Sequence, residues 1–74
     1  MSERVRRMTA RQVETILRKY EFELISQKGS HRKWRNEELG LQVIVPEHKG
    51  RTLPIGTLLS IVQGAKIPES EWRG

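Results

Sequence analysis

The apolar residues of this chain keep one spacing up to Tyr20 and another from Phe22 onward, and that switch limits the folds open to it. Val13, Ile16, Leu17 and Tyr20 recur every three or four positions, which makes one stripe of an α-helix. Arg11, Glu14, Arg18 and Lys19 fall largely off the stripe. Thr9 precedes it and Gln12 follows at capping-box spacing, so a helix is predicted from about Ala10 to Tyr20. After Tyr20 the period becomes two. Phe22, Leu24 and Ser26 alternate with Glu23, Ile25 and Gln27, as on the two faces of a strand. Gly29-Ser30 is a turn signal, His31 to Asn36 reads as a second strand, and Glu37 to Gly40 is a second turn. Leu41 to Val45 is a third strand, stopped by Pro46. Connections this short make an antiparallel meander. Pro54 and Gly56 introduce a second helix with Leu58, Leu59, Ile61 and Val62 on its apolar side and Gly64 as its C-terminal stop. A short helical turn begins near Pro68, and Trp72 is expected to pack back onto the body. The predicted class is α+β: two layers, with two helices on one face of a three-stranded antiparallel sheet.

The chain has 74 residues and no cysteine, so one thin core must hold it without disulfides or a zinc–thiolate site. A single domain is expected over residues 9–74, behind a flexible tail at residues 1–8. Met8 stands directly before the helix start and is a candidate natural first residue. Aspartate is absent as well, which leaves glutamates, two histidines and main-chain oxygens as ligands, so neither a metal nor another cofactor is expected. No apolar run is long enough for a membrane span, and none follows the N-terminal basic residues as a signal peptide would require. A cytoplasmic location is expected, with the free protein a monomer or weak dimer.

Fourteen Lys and Arg against nine Glu give a net charge of +5, and the placement of those charges matters more than their sum. Lys28-Gly29-Ser30-His31-Arg32-Lys33-Trp34-Arg35 gathers four permanent cations and a histidine with no acid. Strand alternation points His31, Lys33 and Arg35 to one face and Arg32 and Trp34 to the other. With Trp34 toward the helices, the open face presents an imidazole among cations, a surface suited to a phosphodiester. RNA fits better than DNA because its ribose 2′-hydroxyl is a built-in nucleophile, and a histidine can move the required protons near neutral pH. His31 is therefore the candidate general acid or base. Lys28 and Lys33 are placed to stabilise charge on phosphorus, Ser30 to bond a phosphate oxygen, and Gly29 to allow the sharp turn. His48 and Lys49 extend the basic character after strand three, and His48 is a candidate second proton-transfer group or phosphate contact. Gly56-Thr57 offers free N–H groups at a helix start, although Thr57 capping its own helix is the simpler reading. The same residues also fit blander roles: an exposed histidine after a turn, a solvated basic strand, and Trp34 and Trp72 as core anchors. Three readings stay open on these grounds: a ribonuclease, an RNA-binding module that does not cut, and a protein-interaction domain with a basic docking face.

An ordered set of motifs narrows this. Gly29-Ser30-His31 with an aromatic three places on, Val45-Pro46-x-His48-x-Gly50, Leu53-x-x-Gly56-Thr57-Leu58-x-x-Ile61, and Ala65-x-Ile67 together resemble the HicA-type mRNA interferase toxins, from about Val13 to Trp72. The resemblance implies a fold similar to the double-stranded-RNA-binding domain and a ribosome-independent endoribonuclease that cuts mRNA and arrests growth. It implies a HicB-type antitoxin as partner, covering the active site. It maps the family's active histidine onto His31, and its other characteristic positions onto Gly29, Ser30, Pro46, His48, Gly50, Gly56 and Thr57. This chain departs from the pattern at Arg32, where relatives carry a small polar residue or histidine, and at Trp34, bulkier than the usual tyrosine.

Overall fold

The computed structural model describes residues 6–73. Helix α1 spans Ala10–Lys19, strands β1, β2 and β3 span Glu23–Lys28, His31–Asn36 and Leu41–Pro46, and helix α2 spans Ile55–Ala65. A single 3₁₀ turn over Glu69–Glu71 closes the order. The strands form one antiparallel sheet in the order β1-β2-β3, with the helices on one face. This is the two-layer α+β arrangement that the periodicity predicts, and it is consistent with the double-stranded-RNA-binding-domain-like fold that the resemblance implies.

Local chemistry explains most boundaries. Thr9 accepts from the Gln12 N–H at 3.2 Å and the Gln12 side chain accepts from the Thr9 N–H at 2.9 Å, the predicted capping box. Helix α1 ends one residue before the predicted Tyr20, and Glu21 follows in the left-handed region at φ 70. Gly64 does not stop α2: the helix runs on to Ala65, and Lys66 takes the left-handed C-cap at φ 54. Gly64 serves packing instead, since a Cβ there would lie 3.1 Å from Val43 Cγ1. Nor does Thr57 cap α2; it lies inside the helix, and Pro54 precedes the first turn without a side-chain cap bond. The alternation predicted along β1 is interrupted by a bulge between Leu24 and Ser26, which sets Ile25 outside the register.

The core forms between the helices and the inner faces of β2 and β3. Val13 and Leu17 from α1, Trp34, Val43 and Val45 from the sheet, and Leu58 and Ile61 from α2 are all buried. Burying each large side chain contributes about 1.5–3 kcal/mol. The helices leave β1 uncovered, and all six of its residues are exposed.

Residues 6–8, expected within a flexible tail, are tied to the body. Met8 is 1 % exposed, its carbonyl accepts from the Leu53 N–H at 2.7 Å, and the Arg6 N–H reaches the Trp72 carbonyl at 3.1 Å. Met8 completes the apolar cluster, so the packed body begins before the helix; the rest of the expected tail, residues 1–5, lies outside the described residues. Trp72 packs back as predicted and is fully buried. Its approach is secured by Glu71, which accepts from the Tyr20 hydroxyl at 2.6 Å and the Lys19 ammonium at 2.9 Å. The Tyr20 hydrogen bond, and then the Lys19 ammonium, hold the Glu71 carboxyl below the usual carboxylate range.

Candidate active site

The two-residue turn between β1 and β2 carries the basic segment. Gly29 sits in the left-handed region at φ 61, where a side chain would be strained, and the Gln27 amide donates to its carbonyl at 3.0 Å. The Ser30 carbonyl accepts from the Glu47 N–H at 2.8 Å, which fastens the turn to the segment leaving β3. His31 follows, exposed, paired in register with Lys28 on β1 and with Pro46 on β3. The alternation puts Lys33 and Arg35 on the same open face. Lys28 and Lys33 have no acidic partner among the described residues, so both charges face solvent uncompensated. Arg35 is partly neutralised by Glu37, with Nε 2.9 Å from the carboxylate. The exposed Ile25 and Ile44 lie on the sheet's outer strands, Ile44 opposite Lys33.

Arg32 has a different environment. It shares the inner side of β2 with Trp34, and its Nε donates to Glu14 Oε2 at 2.7 Å. A terminal nitrogen donates to Gln27 at 3.2 Å and lies 3.6 Å from a Glu47 oxygen. The Trp34 indole N–H donates to the same Glu14 oxygen at 2.9 Å, and Arg18 stacks 4.9 Å from the centre of the Trp34 ring. Arg32 therefore ties α1, β1 and the segment after β3 to the back of the turn that bears His31. Its charge is committed to carboxylates and is not offered to the open face. Glu14, only 5 % exposed, is the residue that sequence reasoning missed. Its spacing to Leu17 was the available signal, because the pair shares a helix face three residues apart.

His48 and Lys49 sit in the turn after β3, where the Arg51 N–H bonds the His48 carbonyl at 2.9 Å and Gly50 takes φ 75. Both line a groove of about 330 Å³ against the start of α1, opposite Arg11. The Glu47–Ser30 bond brings this basic loop beside the His31 turn, but no hydrogen bond joins the two imidazoles among the described residues. Gly56 and Thr57 lie elsewhere, in a groove between β3 and α2. Among the described residues no group of three or more His, Asp or Glu side chains is arranged to hold a metal ion, and no helix is long and apolar enough to cross a membrane.

The site thus offers one exposed imidazole, two uncompensated ammonium groups and a braced backbone turn. That set can exchange a proton with, and place positive charge around, an anionic ligand on an open surface. Compared with known families, residues 10–67 match the model described as the HicA toxin of bacterial toxin–antitoxin systems. No curated protein sequence matches the chain.

Proposed function

The chain belongs to the HicA toxin family, and is accordingly the toxin of a toxin–antitoxin pair; from that premise we propose that it is a metal-independent endoribonuclease that cuts mRNA through His31. In this reading His31 moves a proton as the ribose 2′-oxygen attacks phosphorus. The bond from phosphorus to the 5′-oxygen breaks, leaving a 2′,3′-cyclic phosphate on one product and a 5′-hydroxyl on the other. Lys28 and Lys33 stabilise the charge that builds on the phosphoryl oxygens, and Ser30 bonds one of them. Arg35, His48 and Lys49 hold flanking phosphates, while Gly29 shapes the turn. Arg32 braces that turn from behind. The partner is a HicB-type antitoxin that covers the same face, and the reaction takes place in the cytoplasm, where mRNA is.

The observation that carries this reading is the exposed His31 imidazole paired in register with Lys28, on the sheet face that also presents Lys33. The test compares wild type with His31→Ala on purified mRNA and on growth after induction. Cleavage is expected to fall at least about a hundredfold and growth arrest to disappear. The melting temperature should hold, because His31 lies outside the core. An alanine variant that cuts at the parent rate overturns the assignment.

A further inference from the structure

Among the described residues the outer edge of β3 is unpaired, and the proposed active site does not use it. The Glu47 N–H to Ser30 carbonyl bond makes Ser30–Glu47 a hydrogen-bonded pair, which fixes the alternation along the β2–β3 ladder. In that register Arg32–Val45, Trp34–Val43 and Asn36–Leu41 are the hydrogen-bonded pairs, and Lys33–Ile44 and Arg35–Gln42 are not. The N–H and C=O groups of Gln42 and Ile44 therefore point away from β2, off the edge of the sheet. Beside them runs a groove of about 490 Å³, with Gln42 and Ile44 on one wall and Gly56, Ser60 and Gly64 of α2 on the other.

Sheet edges left open to solvent are ordinarily blunted by charge, bulges or short length. The opposite edge, β1, has Glu23, Lys28 and the bulge at Ile25. β3 ends on Pro46, but Leu41 to Val45 carry neither charge nor proline, and the pairing with β2 is regular. The first charged row inward from this edge on the open face is Lys33 and Arg35, opposite Ile44 and Gln42. A second copy of β3 docked here would bring another such row toward it, between two chains of net charge +5. A strand with acidic side chains on that face meets the row with the opposite sign.

We propose that the edge of β3 receives an extended strand of the antitoxin, acidic on the open face and carrying small polar side chains toward Gly56, Ser60 and Gly64 of α2. Main-chain bonds to Gln42 and Ile44 supply affinity, and the alternating side chains supply selectivity. This rests on the reading that the partner is a HicB-type antitoxin.

The test uses the full chain with and without the antitoxin expressed from the adjoining reading frame, following individual amides by hydrogen exchange. The Gln42 and Ile44 amides are expected to slow at least about tenfold in the complex, where two main-chain bonds form. Ile44→Pro removes an N–H that β2 does not use, so it should fold and bind roughly tenfold more weakly. Ile44→Glu, which keeps the backbone N–H but sets a like charge against the strand's acidic face, should also weaken binding. A complex that forms with both amides exchanging as in the free protein overturns the edge assignment alone. Failure of any complex to form overturns the antitoxin reading and the edge assignment with it. Slowing of both amides in a dimer of the free chain, abolished by Ile44→Pro, assigns the edge to self-association and also overturns the proposal.

Discussion

Trp34 donates its indole N–H to the Glu14 oxygen that also accepts Arg32 Nε, at 2.9 and 2.7 Å. One carboxylate thus satisfies a buried ring and a strand cation from the neighbouring helix. Removing it leaves the buried Trp34 N–H unpaired and takes from the Arg32 guanidinium, 19 % exposed, its shortest contact. Glu14→Ala is expected to destabilise the protein by about 3 kcal/mol, read from denaturant unfolding. A loss within experimental error would show that Arg32 and Trp34 find other acceptors.

The two tryptophans should respond differently to the same change. Both are buried, but among the described residues the Trp72 indole nitrogen has no hydrogen-bond partner, whereas Trp34 has Glu14. Trp34→Phe removes a bond to a charged acceptor, and Trp72→Phe removes an unpaired donor. The first variant should therefore be less stable than the second by about 1–3 kcal/mol in urea unfolding. Equal losses would contradict this difference between the two sites.

Among the described residues Lys28 and Lys33 have no acidic partner, while Arg32 is bound by Glu14 and Glu47. In RNA binding measured across salt concentrations, Lys28→Ala and Lys33→Ala should each reduce the log–log slope by about 0.7. Arg32→Ala should leave the slope nearly unchanged and act through stability instead. A slope change for Arg32→Ala as large as for the lysines would mean that the guanidinium leaves its carboxylates to reach RNA.

The proposed chemistry relies on the substrate's own hydroxyl. Cleavage should persist in excess EDTA and yield a 2′,3′-cyclic phosphate or its hydrolysis product. A strict requirement for added magnesium would contradict the mechanism.

Acid should loosen the attachment of the C-terminal turn to α1. Hydrogen bonding from Tyr20, and then from Lys19, lowers the Glu71 pKa in the folded chain, so this contact stabilises the fold above the unfolded carboxylate value of 4.5. The contribution is lost as pH falls through the lower folded value. Glu71→Gln should be less stable than wild type at neutral pH, with the gap closing below about pH 4. A gap that stayed constant down to pH 2 would exclude Glu71 titration as its source.

The order of elements was legible because each announces itself locally. Helical spacing ended at Tyr20, alternation began at Phe22, and Pro46 and Pro54 bounded the polar loop. The His31 turn was legible for a similar reason, as a run of cations without an acid. What stayed hidden depends on partners distant in sequence. Glu14 reads as part of a solvated helix face until Arg32, eighteen residues away, arrives beside it. Met8 lacks any periodic neighbour, and it joins the core where Leu53, far along the chain, bonds its backbone. Gly64 resembles a helix terminator, but its missing side chain makes room for Val43. The bulge at Ile25 changes no residue type, and alternation alone cannot reveal an extra residue in a ladder.

The burial of Trp72 also bears on how the protein is made. A nascent chain that has reached only Ile67 already contains both helices and every strand, yet it still lacks one of the two largest fully buried side chains. Closure must wait until Trp72 has left the ribosome. Messages broken upstream of that codon would yield chains with an unfinished interior, open to proteases.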